Sequence, residues 1–227
     1  MILAAEYPNY LPLVSFFYKM AQAEIFVLVD DFQFTKHNYI NRTKIKTARG
    51  VQWLTVPVLT KGRKGQLIQQ VQINVFQDWR RKHWKTLMVN YTYAAYFDKY
   101  SDFFESVFNK SWSYLLDLNL KIIEYIKNEL HVPAKIYLGS ELNIKGKGNQ
   151  RLINLLEKLN CRTYLSFLDG KRYLDTQIFE KNGFEVEFIS SKPILYHQQF
   201  GNFISNLSIV DLLFNEGENS TNLILGK

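Results

Sequence analysis

Residues 2–31 read ILAAEYPNYLPLVSFFYKMAQAEIFVLVDD, and this stretch decides the fold class. Ile2 to Ala5 is a short apolar run closed by Tyr7-Pro8-Asn9, because a proline pushes the residue before it away from helical geometry. Leu13, Phe16, Phe17 and Met20 then recur at helical spacing behind Pro12, a residue suited to a helix's first turn. Ile25 to Val29 is apolar throughout, as a strand buried on both faces should be, and it stops at Asp30-Asp31. Strand, helix and strand within roughly 30 residues make a βαβ unit, whose two strands run parallel. The expected fold is α/β: a parallel or mixed sheet beginning with a βαβ unit, with a helical middle segment, three-layer and Rossmann-like.

Outward from this unit, Gln33 to Gly50 is a polar, basic stretch, and Gln52 to Val58 alternates like a strand that Pro57 ends or places at an edge. Thr60 to Gly65, TKGRKG, reads as a basic flexible loop, and Val71 to Val75 alternates again. From Trp79 to about Glu129 the period is helical, giving three helices with breaks near Ala94 to Tyr96 and at Ser111. The last third predicts a strand near Ile136, a helix over Arg151 to Leu159 and a strand over Thr163 to Ser166. A helix through Phe179, a strand over Glu185 to Ile189 and a final amphipathic helix from Asn206 to Asn215 follow. With no internal repeat or long linker, residues 1–227 are expected to form a single domain, helical over about residues 77–130.

The chain has 227 residues, 47% of them hydrophobic and 22% charged, which excludes a disordered or collagenous protein. Lys and Arg number 28 against 21 Asp and Glu, a net charge of +7 that suits anionic ligands such as phosphates and nucleotides better than cationic ones. The lone cysteine, Cys161, and an N-terminus without a basic, cleavable leader point to a soluble protein of the cytoplasm. G-x-G-x-x-G, the Walker loop, H-E-x-x-H, C-x-x-C and G-x-S-x-G are all missing. Metal-dependent and Ser-His-Asp hydrolysis are therefore disfavoured, no metal site is assigned, and no cofactor is named.

Ligands of open α/β sheets bind beyond the carboxyl ends of the strands. The groups expected there are Glu6-Tyr7-Pro8-Asn9, Asp30-Asp31, Gly139-Ser140 and Ser166 to Gly170, against the competing reading of ordinary turn composition. Paired carboxylates can hold Mg²⁺ or a catalytic group. Neighbours at a strand end point to opposite sides, so one of Asp30 and Asp31 is expected to be functional and the other structural. Residues 33–46 combine Lys36, Arg42, Lys44 and Lys46 with His37 and the amides of Gln33, Asn38 and Asn41, a mixture suited to phosphates and sugar hydroxyls. Phe34 and Tyr39 add stacking faces that would also serve RNA. In WRRKHWKTLMVN, residues 79–90, Trp79, His83, Thr86 and Asn90 share one stripe, and Trp84, Leu87 and Met88 continue with Tyr91 on the other. His83 is a candidate general base, with a satisfied core histidine as the alternative. His131 sits at a helix end and His197 in a loop.

Several blocks in order resemble the WbqC-like protein family: Pro8-Asn9-Tyr10-Leu11-Pro12, Phe16-Phe17 with Lys19, Asp30 through Lys36, Asn41-Arg42 to Thr47, and Trp53 through Val58. Asn90-Tyr91 with Tyr96-Phe97, Tyr164-Leu165-Ser166, Tyr173-Leu174-Asp175 and Asn206 to Gly217 continue the resemblance over essentially the whole chain. It implies an acyl or aminoacyl (glycyl) transferase acting on the amine of a nucleotide-linked amino sugar, in O-antigen or other surface-polysaccharide synthesis. The acyl donor stays open among a CoA thioester, an aminoacyl-tRNA and an ATP-activated acid. On this reading the base is Glu6, Asp31 or His83, and Asn9, Asn41 and Lys36 stabilise the oxyanion. Arg42 and Lys46 take the diphosphate, Tyr10 or Trp53 stacks on the nucleobase, and Asp30 and Gln33 complete the binding set. Two departures stand out: Glu6-Tyr7 replaces the family's His-Gln, and the Gly-rich stretch after Tyr164-Leu165-Ser166 is reduced to Phe167-Leu168-Asp169-Gly170. A nucleotide-dependent ligase or nucleotidyltransferase and a non-catalytic scaffold or RNA-binding protein are the alternatives.

Overall fold

The computed structural model describes residues 1–190 and 193–226 and contains the expected βαβ unit: strand β1 (Ile2–Glu6), helix α1 (Val14–Ala21) and strand β2 (Ile25–Leu28). An antiparallel ribbon, β3 (Arg42–Thr47) and β4 (Gly50–Thr55), precedes helices α2 (Trp79–Tyr91), α3 (Phe97–Asn109) and α4 (Leu115–Glu129). Strand β5 (Lys135–Leu138), helices α5 (Gly139–Leu142) and α6 (Gly148–Lys158), strand β6 (Thr163–Phe167), helix α7 (Thr176–Lys181) and strand β7 (Glu185–Ile189) return the chain to the sheet. Helices α8 (Ile209–Glu216) and α9 (Asn219–Leu225) follow.

The sheet has the strand order β5-β2-β1-β6-β7, and every neighbouring pair is parallel. The chain moves outward from β1 to β2 and β5, then returns to the other side of β1 for β6 and β7. Right-handed crossovers made in opposite directions place their helices on opposite faces, which gives the three layers. Side-chain alternation feeds both faces. Ala4, Phe26, Leu28 and Leu165 join Phe16, Phe17 and Met20 and the helical middle on one side, while Leu3, Ala5, Ile25 and Val27 join Leu155, Leu156 and Phe179 on the other.

Four local expectations are corrected. The basic stretch of residues 33–50 contains strand β3, registered Arg42↔Thr55 to Thr47↔Gly50; Thr43 and Ile45 face inward and Arg42 and Lys44 outward, a pattern that charge had masked, while Lys46, next in the alternation, is buried under residues 198–202. The strand expected up to Val58 ends at Thr55, ahead of Pro57, which has no N–H to donate. Val71 to Val75 forms no strand and is held by the single bridges Val58↔Ile73 and Gln72↔Tyr114. The last helix starts at Ile209 rather than Asn206, because Asn206 is left-handed (φ 57°) and Ser208 Oγ caps the helix, accepting from Val210 N at 3.4 Å.

On α2, Trp79, His83, Leu87 and Tyr91 share the buried stripe at four-residue intervals, so His83 sits with Leu87 and Tyr91 instead of opposite them. Tyr91 leads to the aromatic centre of the helical layer. There the fully buried Phe214 of α8 lies 5.1 Å from Phe97, 5.3 Å from Tyr91, 5.5 Å from Phe104 and 6.4 Å from Tyr100, centroid to centroid. Phe214→Ala should therefore lower the unfolding free energy by about 3–5 kcal/mol, seen as a lower midpoint in urea with an unchanged slope.

Candidate functional site

The order of strands reverses between β1 and β6, and a crevice is expected at the carboxyl ends of the strands at such a point. A cavity of about 340 Å³ lies there, between the end of β1, the tip of β2 and the first turn of α6. Its polar wall is Glu6, Tyr7, Lys19, Asn149, Arg151 and Tyr173, and its apolar wall includes Val27, Phe32 and Leu155. Pro8 ends β1 just where Glu6 and Tyr7 enter this space.

Lys19 reaches the cavity from α1. Its side chain is 4% exposed, and Nζ donates to Glu6 Oε1 at 2.7 Å and to the carbonyl of Ala5 at 3.1 Å. The buried ammonium thus fixes the orientation of the Glu6 carboxylate, itself 29% exposed. Burial, then the charge of Glu6, raises the Tyr7 and Tyr164 phenols above their ordinary value. Burial also raises that of Tyr173, opposed by its hydrogen bond with Ser166. All three remain neutral donors around neutral pH.

The two adjacent aspartates divide their duties. Asp30 is 1% exposed and accepts from Ser140 N at 2.8 Å and Ser140 Oγ at 2.6 Å, tying the end of β2 to the end of β5. Asp31 pairs with Arg151, whose guanidinium also lies 5.1 Å from the centroid of the Phe32 ring. Gly139 is required beside them, since a Cβ there would stand 2.8 Å from Asp31 Oδ1.

The other expected site residues lie elsewhere. His83 is in the core, where Tyr10 Oη lies 2.8 Å from Nδ1 and the Trp79 and Phe108 rings pack edge-on. Neither Tyr10 nor His83 lines the crevice. Lys46 is 1% exposed and donates to Gln198 Oε1 at 3.2 Å and the carbonyls of Gly201 at 3.4 Å and Asn202 at 2.6 Å. Those bonds engage its ammonium within the fold. Asn9 Oδ1, in the turn after β1, is buried without a hydrogen-bond partner among the described residues, and Gln33 is exposed and bridges to Leu67. Lys36, Asn41 and Arg42 gather around a second cavity of about 350 Å³, with Trp53 stacked on Arg42.

Lys19, Arg151 and Tyr173 carried no assigned role in the sequence. Lys19 had a signal, a cation three residues after Phe16 and one before Met20 in a buried stripe. Arg151 had none, because its partner Asp31 is 120 residues away. Among the described residues no three His, Cys, Asp or Glu side chains gather as metal ligands, and no helix is long and apolar enough to cross a membrane.

The WbqC-like protein family model matches residues 7–223. Rv1507c, an uncharacterized protein of Mycobacterium tuberculosis (strain ATCC 25618 / H37Rv), is 32% identical over 211 residues, covering 92% of this chain and 91% of its own. No solved structure matches the chain significantly.

The buried histidine has a measurable consequence. Desolvation lowers the pKa of His83 from 6.5 to about 4, opposed in part by the Thr55 backbone. Between these values the unfolded chain binds more protons than the folded one. Stability should therefore fall as the pH drops from about 6.5 towards 4, with His83 contributing up to ~1.4 kcal/mol per pH unit. Urea titrations across that window should show the decline, and His83→Gln should flatten it.

Proposed function

The chain belongs to the WbqC-like protein family, and from that premise and the crevice at the strand reversal we propose that it transfers an acyl group, of the aminoacyl (glycyl) class, to the amine of a nucleotide-linked amino sugar destined for O-antigen or another surface polysaccharide. The observation that carries this reading is the Glu6–Lys19 pair, a carboxylate held in place by a buried ammonium on the wall of a cavity of ligand-binding size.

Amine acylation needs a base, because the ammonium form has no lone pair to attack with. Of the three carboxylate and imidazole candidates, Glu6 alone lines the cavity; Asp31 is engaged by Arg151 and His83 by Tyr10. The ammonium loses one proton to solvent, and Glu6 takes the second as the nitrogen attacks the donor carbonyl and forms the C–N bond. As the tetrahedral centre collapses, the donor's C–S or C–O bond breaks, and the departing thiol, hydroxyl or phosphate takes the proton from Glu6 or from solvent. Arg151 and the first turn of α6 at Gly148 and Asn149 offer positive potential for the oxyanion or for the ligand's diphosphate. Tyr7 and Tyr173 offer neutral donors to sugar hydroxyls.

Melting scans test the binding half. A nucleotide-linked amino sugar at ~100 times its dissociation constant should stabilise the fold by about 2.7 kcal/mol, and by more than the bare nucleotide does at the same concentration. Equal shifts from both would remove the amino sugar as acceptor. For the chemical half, Glu6→Gln keeps an oxygen for Lys19 but loses the base and the counter-charge of a buried ammonium, so the melting temperature should fall and turnover, measured well below it where the variant is folded, should drop by about 10²–10⁴-fold. Undiminished turnover in that variant would remove Glu6 from the mechanism.

A further inference from the structure

Between Phe32 and Gln77 the chain has eight Lys and Arg residues and no Asp or Glu; the rest of the chain carries 20 basic and 21 acidic residues. The whole positive excess thus belongs to one continuous segment, the one that builds the β3–β4 ribbon and the loops around it. The ribbon's register places Arg42, Lys44, Trp53 and Thr55 on its outer face. The Arg42 guanidinium lies 4.1 Å from the centroid of the Trp53 ring, which is 42% exposed. Tyr39 approaches the same ring at 5.7 Å, and Lys44 Nζ lies 5.8 Å from Trp53 and 5.9 Å from Tyr39.

Beside this stack is the cavity of about 350 Å³ lined by Lys36, His37, Asn41 and Arg42. Two polar atoms buried there have no partner among the described residues: Oδ1 of Asn41, a residue only 7% exposed, and Nε of Arg42. Both atoms are shut off from the cavity space, so the groups it offers a polar ligand are the exposed side chains of Lys36 and His37. Lys61, Arg63 and Lys64 extend the basic surface from the adjoining exposed loop.

We propose that the outer face of the β3–β4 ribbon docks a single-stranded nucleic acid. Phosphates lie against Lys36, Lys44 and the loop cations, and a base stacks on Trp53 next to the Arg42 guanidinium. Aromatic rings interleaved with cations along an extended surface are what strand binding without base reading uses, because every base offers a flat face and every linkage a charge. A membrane surface would call for a contiguous apolar face, whereas here the rings alternate with charged groups. This surface lies outside the Glu6 cavity, and the proposal does not rest on acyl transfer.

Fluorescence anisotropy of the full chain with labelled single-stranded RNA and DNA dodecamers tests it. Binding should be strong at low ionic strength and weaken steeply with added salt. Trp53→Ala should cost about tenfold or more in affinity, by loss of the stacked base. Lys61→Glu with Lys64→Glu, both in an exposed loop, should weaken binding with an unchanged melting temperature, which separates docking from folding. Glu6→Gln should bind as the parent does. Preference for RNA over DNA, or none, is compatible with the proposal. It is overturned if neither strand binds at low salt, if the Trp53 and loop variants bind as the parent does, if only mononucleotides bind, or if anionic vesicles are bound and strands are not.

Discussion

Lys19 carries a full charge into the protein with 4% of its side chain exposed, and much of the architecture around the strand reversal answers that constraint. An isolated buried ammonium is costly, so it must be met by acceptors fixed nearby. Those acceptors, the Ala5 carbonyl and the Glu6 carboxylate, are the last groups of β1. The ion pair therefore pins α1 to the carboxyl end of the central strand. It also sets the direction in which Glu6 faces the cavity, which a carboxylate on a free loop could not hold.

The second constraint is the segment that leaves β2. Val29 N donates to the Glu6 carbonyl at 2.8 Å, Asp30 is held by Ser140, and Asp31 by Arg151. On its other side Gln69 N donates to the Asp30 carbonyl, Ile68 N to that of Phe32 and Phe34 N to that of Gln66, each at 2.9 Å. Main-chain bonds on both sides make this connection a structural strut, although by its place in the chain it is a loop.

The βαβ opening, the parallel sheet and the three-helix middle were legible because they rest on local periodicity. Apolar runs of strand length and recurrences every three or four residues record which side of each element is buried. Strand β3 was illegible because Arg42, Lys44 and Lys46 alternate along it, so charge concealed the inward positions Thr43 and Ile45 and gave no sign that the fold buries Lys46. In the site, Glu6 and the adjacent aspartates could be placed because strand ends fix them. Asp30 and Asp31 do point to different partners, as their adjacency requires. Tyr10, Lys46 and His83 read as ligand-facing from residue type, but tertiary packing gave each a partner far away in sequence: His83 for Tyr10, and the loop of residues 198–202 for Lys46. Arg151 entered the site for the same reason in reverse.

The strut after β2 also bears on how the two cavities relate. Phe32 lines the one at the strand reversal and Lys36 the one beside the ribbon. Four residues of extended chain span at most about 14 Å, so these two lining positions lie within the length of a nucleotide or two. A basic surface so close to the crevice also raises the local concentration of any phosphate-bearing ligand, whichever cavity finally holds its reactive end. The positive segment thus contributes to the crevice through its field.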